Sequence, residues 1–148
     1  MTNINIVLDL EPSEQNNGIL RRGIIDFNVA HLGEKASNCS VFARDENEKI
    51  IGGATLWVHS DAAYIDILWV EEAFRQQRIG SAIMKVVDDY ARKQNLSALF
   101  VDTFDFQALD FYLKQGFQLV AEIKAYLLKH DRYYLRKDLS NAGISSLS

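Results

Sequence analysis

The chain has 148 residues, 48% hydrophobic and 24% charged, enough apolar material for one sizeable core and too much for a disordered segment. Lys and Arg number 16 against 20 Asp and Glu, a net charge of −4. Nucleic-acid binders rely on cationic neutralisation of phosphates, so this balance disfavours a dedicated DNA or RNA binder and mildly favours a cationic partner such as an amine.

The lone cysteine, Cys39, excludes an internal disulfide and a multi-cysteine zinc site, and His31, His59 and His130 show no metal-binding spacing. No apolar run approaches the roughly 20 residues of a membrane span, and the stretch from Met1 to Leu10 lacks a basic start. A cytoplasmic protein is expected.

In chain order, Ile4 to Leu10 alternates loosely and predicts an opening strand. Apolar residues then recur at helical spacing from Ile19 to Leu32, with Gly33 as the stop. Cys39–Arg44 and Lys49–His59 form an expected strand pair across the turn at residues 45–48; Gly52-Gly53 marks a bulge or a close backbone approach, and Trp57 is assigned to the core. Ala62 to Val70 reads as an apolar strand. Ile79 to Asn95 is the clearest helix, with Ile79, Ile83, Val86, Val87 and Tyr90 as its apolar stripe. A short strand is expected over Ala98–Thr103, a helix over Gln107–Gln115 stopped at Gly116, and two last strands over Phe117–Ala125 and Tyr133–Lys137. Residues 140–148 are small and polar and are expected to fray. No repeat or linker divides the chain, so residues 1–139 read as one domain of the α+β class with a mixed sheet.

The chemically informative stretch runs from Ile67 to Ser81. A buried strand ends, a polar loop follows, and Gly80 lies in the first turn of the best helix. Such a turn leaves N–H groups unpaired and carries the positive end of the helix dipole. With Arg75 and Arg78 nearby, it makes a cradle suited to a pyrophosphate; an ordinary strand-to-helix connection with solvated arginines fits the same features.

The run Arg75-Gln76-Gln77-Arg78-Ile79-Gly80 resembles the motif Arg/Gln-x-x-Gly-x-Gly/Ala of the GCN5-related N-acetyltransferases (GNAT). Arg78 replaces the first glycine, a departure compatible with the motif if Arg78 keeps a negative φ. A second stretch, Ala108-Leu109-Asp110-Phe111-Tyr112-Leu113-Lys114-Gln115-Gly116-Phe117, is similar to the family's Asn-x-x-Ala-x-x-Phe-Tyr-x-x-x-Gly-Phe segment, with Asp105 where many relatives have asparagine. Two motifs at the expected separation are more specific than either alone.

The resemblance implies a GNAT fold: a central, mostly antiparallel mixed sheet with flanking helices and two parallel strands that splay apart. It further implies acetyl-CoA as acetyl donor, with the backbone of Leu68, Trp69 and Val70 pairing its pantetheine arm. Arg75, Gln76, Gln77, Arg78, Ile79, Gly80 and Ser81 would hold the pyrophosphate, and Asp105 would also contact the cofactor. The implied reaction is direct attack of a neutral primary amine, from a small molecule or a peptide, on the thioester in a ternary complex. Tyr112 takes the role of general acid. Tyr64 and Asp66 fall where a member of the family carries two histidines, so Asp66 is the base or amine anchor; a carboxylate is a weak base unless desolvated. Period-two alternation places Tyr64, Asp66, Leu68 and Val70 on one strand face, and Asp102 on the second splayed strand is the weaker candidate. A structural reading, with Tyr112 as a core tyrosine and Asp66 as a partly exposed sheet aspartate, stands beside this one. A rival assignment is a non-catalytic acyl-CoA sensor that kept the cradle. No metal is expected, and the apolar carboxy-terminal strands could form a homodimer seam.

Overall fold

The computed structural model describes residues 3–139; the expected tail at 140–148 lies outside them. Among the described residues, those up to Lys35 and those from Ala36 onward form two compact units. In the first, the expected strand over residues 4–10 is absent. Alternation is a local signal, whereas a strand needs a partner's ladder, and the segment has none. The helix α1 spans Glu14–Leu32, starting five residues ahead of the expected Ile19 because Ser13 Oγ accepts the Asn16 N–H at 3.0 Å. Gly33 ends it in the left-handed conformation at φ +87°.

The second unit is a six-stranded sheet in the order β1-β2-β3-β4-β6-β5. Its strands are β1 (Ser37–Arg44), β2 (Ile50–His59), β3 (Ala62–Val70), β4 (Ala98–Phe104), β5 (Gln118–Leu127) and β6 (His130–Asp138), joined by helices α2 (Ile79–Lys93) and α3 (Leu109–Lys114). Every neighbouring pair is antiparallel except β3–β4. The mixed, mostly antiparallel α+β architecture is the one expected.

Helix α2 lies against β1, β2 and β3. It buries Ile83, Met84, Val87 and Ala91, while Val86 and Tyr90 of the expected stripe are exposed. The true face is rotated toward Met84, since the 3.6-residue period places 83, 84, 87 and 91 on one side. Opposite them sit Leu56, Ile65, Leu99 and Leu135, each almost fully buried. Burying such a side chain contributes about 1.5–3 kcal/mol. Trp57 is not core: 43% of it is exposed, because its neighbour Leu56 takes the helix-facing side of β2.

Gly53 is the close backbone approach anticipated for this strand. A Cβ there would stand 2.3 Å from the Val41 carbonyl oxygen, and one at Gly52 would stand 2.8 Å from that of Trp69.

Candidate active site

Strands β3 and β4 pair through three residue couples only, Ala62↔Ala98, Ala63↔Leu99 and Tyr64↔Phe100. Beyond these, β3 runs to Val70 and β4 to Phe104 without pairing each other, which opens a V-shaped split. The cause is visible in the other ladder of β3. Thr55 pairs Ile67 and Leu56 pairs Ile65, so Asp66 is the extra residue of a bulge. A bulge bends its strand and raises its twist. It also reverses the alternation: Leu68 and Val70 pack on the core while Ile67 and Trp69 are about half exposed. The sequence reading put Tyr64, Asp66, Leu68 and Val70 on one face; the bulge breaks that face after Asp66.

At the end of the split lies a cavity of about 620 Å³. Its wall is formed by Leu68, Trp69 and Val70 of β3, by Phe74, Arg75, Gln76 and Arg78 of the connection, and by Ile79, Gly80 and Ser81 at the start of α2. The far wall comes from Phe106, Gln107, Ala108 and Phe111. Arg75 turns back so that its Nε donates to the Val70 carbonyl at 2.8 Å, fixing the loop on the strand it leaves. Gln76 and Arg78 both adopt left-handed backbone, at φ +67° and +62°. The condition of a negative φ at Arg78 is therefore not met: an arginine holds a conformation that favours glycine, in order to turn the chain into α2. Ala82 N–H makes the first helical bond, to Arg78 O, which leaves the N–H groups of the preceding turn without helical partners. Gly80 serves helix packing as well as access, since a Cβ there would meet the Phe111 ring at 3.3 Å.

A smaller cavity of about 210 Å³ occupies the split itself and shares Leu68, Gln107 and Ala108 with the first. Asp66, Asp102, Thr103 and Tyr112 line it. Tyr112 is 4% exposed, and burial, with the Asp102 charge as a lesser cause, pushes its phenol up from 10.0 to about 12. Its ring meets Phe111 and Phe117 edge to face. Asp66 is exposed, and its side chain makes no hydrogen bond among the described residues. Asp102 is occupied on both oxygens: Tyr64 Oη donates to Oδ2 at 2.8 Å and Arg132 Nη2 donates to Oδ1. Burial, and then that hydrogen bond, push Tyr64 up to about 12.

With this geometry in place, the sequence model of the Acetyltransferase (GNAT) family matches residues 8–117, most of the chain. The chain belongs to the GNAT family. It is an acetyltransferase, and the family's acetyl donor is acetyl-CoA. An acetyltransferase of Agrobacterium fabrum is 24% identical over 121 residues, covering 81% of this chain and 88% of the relative. A crystal structure described as an acetyltransferase from Agrobacterium tumefaciens superposes with TM-score 0.84 at 23% identity, over 91% of this chain and 99% of that one. A Bacillus anthracis protein described as a streptothricin acetyltransferase, solved with acetyl coenzyme A, gives TM-score 0.62 at 20% identity, over 71% and 64%. At these identities the two structures establish the fold.

In this GNAT enzyme the structure brings Leu68, Trp69, Val70, Arg75, Gln76, Arg78, Ile79, Gly80 and Ser81 to one cavity, and Asp66 and Tyr112 to the adjoining one. Gln77 and Asp105 line neither. The Asp105 carboxylate instead accepts the Asp131 N–H at 2.8 Å and meets His130 Nδ1 at 2.8 Å, tying the end of β4 to the β5–β6 hairpin. The Asp131 backbone bond is the leading cause that holds its carboxyl below 3.8. Sequence reading gave no role to Gln107, whose Oε1 accepts the Phe104 N–H at 2.7 Å and which borders both cavities. Its only sequence signal is its place between the second splayed strand and the Phe-Tyr helix. No described helix is long and apolar enough to cross a membrane.

Proposed function

We propose that this enzyme transfers the acetyl group of acetyl-CoA to a primary amine by direct attack in a ternary complex. The observation that carries the reading is the pair of adjoining cavities along the β3–β4 split, with Asp66 and Tyr112 together in the inner one. Unpaired edges of β3 and β4 would otherwise carry a desolvation cost, and an extended amide-bearing arm satisfies them as an added strand does. The first turn of α2, with Arg75 and Arg78, suits a diphosphate. The residues present therefore fit acetyl-CoA, which when bound supplies a thioester carbonyl open to an amine.

Asp66, unpartnered and exposed at the bulge, is the group free to draw in an ammonium and hold the amine at the split. Asp102 is poorly suited to that work, since both its oxygens are taken. Tyr112 keeps its proton throughout the neutral range, because its phenol titrates near 12. A thiol titrates near 8.5, so complete proton transfer from Tyr112 to a thiolate is uphill by about 3.5 pH units. Tyr112 then acts as a hydrogen-bond donor that stabilises developing charge on sulfur. The family match runs across both compact units, which supports a single acetyltransferase domain over residues 1–139.

The test is calorimetric titration with acetyl-CoA, followed by thiol release against a panel of primary amines. Saturable binding with turnover on at least one amine is expected; no heat of association at millimolar acetyl-CoA would overturn the proposal.

A further inference from the structure

Backbone pairing between β3 and β4 stops at Tyr64↔Phe100, and the next bond between the strands is made by side chains. Tyr64 Oη donates to Asp102 Oδ2 at 2.8 Å, and Arg132 Nη2 donates to Asp102 Oδ1. One carboxylate thus links β3, β4 and β6 at the vertex of the V. Arg132 is braced in turn, with its guanidinium carbon 4.4 Å from the Phe104 ring centroid and 5.2 Å from that of Tyr126 on β5. The Asp102 side chain is 12% exposed and that of Arg132 23%, so solvent and salt screen the pair weakly.

Past Tyr64, β3 is held by β2 on one side only, and past Phe100, β4 is held by β6 on one side only. Without a tie at the vertex, the parallel ladder of three couples would fray and the mouth of the split would vary in width. Strand edges can receive an extended chain only at a fixed separation of about 4.7–4.9 Å on each side.

We propose that the Tyr64–Asp102–Arg132 chain is a clasp that sets the width of the split, making these three the positioning residues for the donor's extended arm. The positioning role rests on the acetyl-CoA reading above, whereas the clasp itself does not. Asp102 serves this frame and leaves acceptor chemistry to Asp66.

Hydrogen exchange on the free protein, read by mass spectrometry, tests the clasp without any ligand. In Tyr64→Phe, amides at the end of the parallel ladder, in residues 63–65 and 99–101, exchange roughly tenfold faster, while the β1–β2 ladder keeps its wild-type rates. That factor corresponds to about 1.4 kcal/mol, near the strength of a hydrogen bond to a charged group. Val87→Ala, a core truncation away from the split, serves as the destabilised control and speeds exchange without this localisation. Unchanged rates at the ladder end, or equal acceleration everywhere, overturn the clasp.

Calorimetry with coenzyme A and with ADP, which has the diphosphate and lacks the arm, tests its consequence. Tyr64→Phe weakens coenzyme A roughly tenfold and leaves ADP within twofold, whereas Val87→Ala leaves the ratio of the two unchanged. A Tyr64→Phe ratio equal to that of wild type overturns the positioning role. If wild type binds neither probe, the acetyl-CoA reading falls, and with it the positioning role, while the exchange result still decides the clasp.

Discussion

Arg78 stands at φ +62° and ψ +21° as the residue that leads into α2. For a residue with a Cβ, the left-handed conformation costs about 1–2 kcal/mol, and glycine escapes that cost. Glycine also gives the unfolded chain about 0.4–1 kcal/mol of extra conformational freedom. The midpoints of the two effects leave Arg78→Gly about 0.8 kcal/mol more stable than Arg78→Ala. The two variants lose the same charge, so the comparison isolates the backbone. For a chain of this length that gap corresponds to roughly 1–4 °C in Tm. Differential scanning calorimetry and urea unfolding measure it, the second as a shift of midpoint at constant slope. Both variants should bind acetyl-CoA more weakly than wild type by a similar factor, because both remove one cation from the wall of the cavity. If Arg78→Ala proved as stable as Arg78→Gly, the left-handed backbone at this position, and with it the described path of the loop, would be refuted.

Tyr112→Phe should lower kcat by about 100–1000-fold, the size of a lost transition-state hydrogen bond, while calorimetry finds acetyl-CoA affinity within about twofold of wild type. The folded phenol titrates near 12 against 10.0 for an ordinary tyrosine, so its share of stability is complete below pH 10 and is lost as pH rises toward 12. Urea midpoints taken across that window should fall less steeply in Tyr112→Phe than in wild type. Asp66→Asn should raise KM for the amine and leave acetyl-CoA affinity unchanged; because the Asp66 side chain is exposed and unpartnered, the unfolding free energy should change by no more than about 0.5 kcal/mol. Asp105→Ala should loosen the β5–β6 hairpin, seen as faster amide exchange near Asp131, with acetyl-CoA affinity intact; a marked loss of affinity would instead assign Asp105 to cofactor binding.

Most of the second unit was legible in the sequence because its signals are local. Gly116 ends α3 through its own backbone freedom at φ +97°, as Gly33 ends α1 in the first unit at φ +87°. The α2 periodicity needed only its own residues, although a neighbouring stripe placed Val86 and Tyr90 inward when Met84 and Ala91 were the buried pair. The segment over residues 4–10 failed for the converse reason: alternation says which side of a strand would be buried, and says nothing about whether a neighbouring strand exists to pair it.

The sequence alone determined most of one wall of the larger cavity, Leu68, Trp69, Val70, Arg75, Gln76, Arg78, Ile79, Gly80 and Ser81, and missed the far wall at Phe106, Gln107, Ala108 and Phe111. The order of that first wall along β3, the loop and the first turn of α2 is contiguous, and contiguity carries directly into space. Tertiary structure decided everything that depends on pairing across strands. The bulge at Asp66 is a register difference between β2 and β3, so the reversal of faces after it exists only once the two strands are aligned. The commitment of Asp102 to Tyr64 and Arg132 joins residues 38 and 30 positions apart, which no periodicity along the chain encodes. The left-handed backbone of Arg78 likewise follows from the turn that closes one strand onto the next helix, because side-chain identity alone favours the opposite hand.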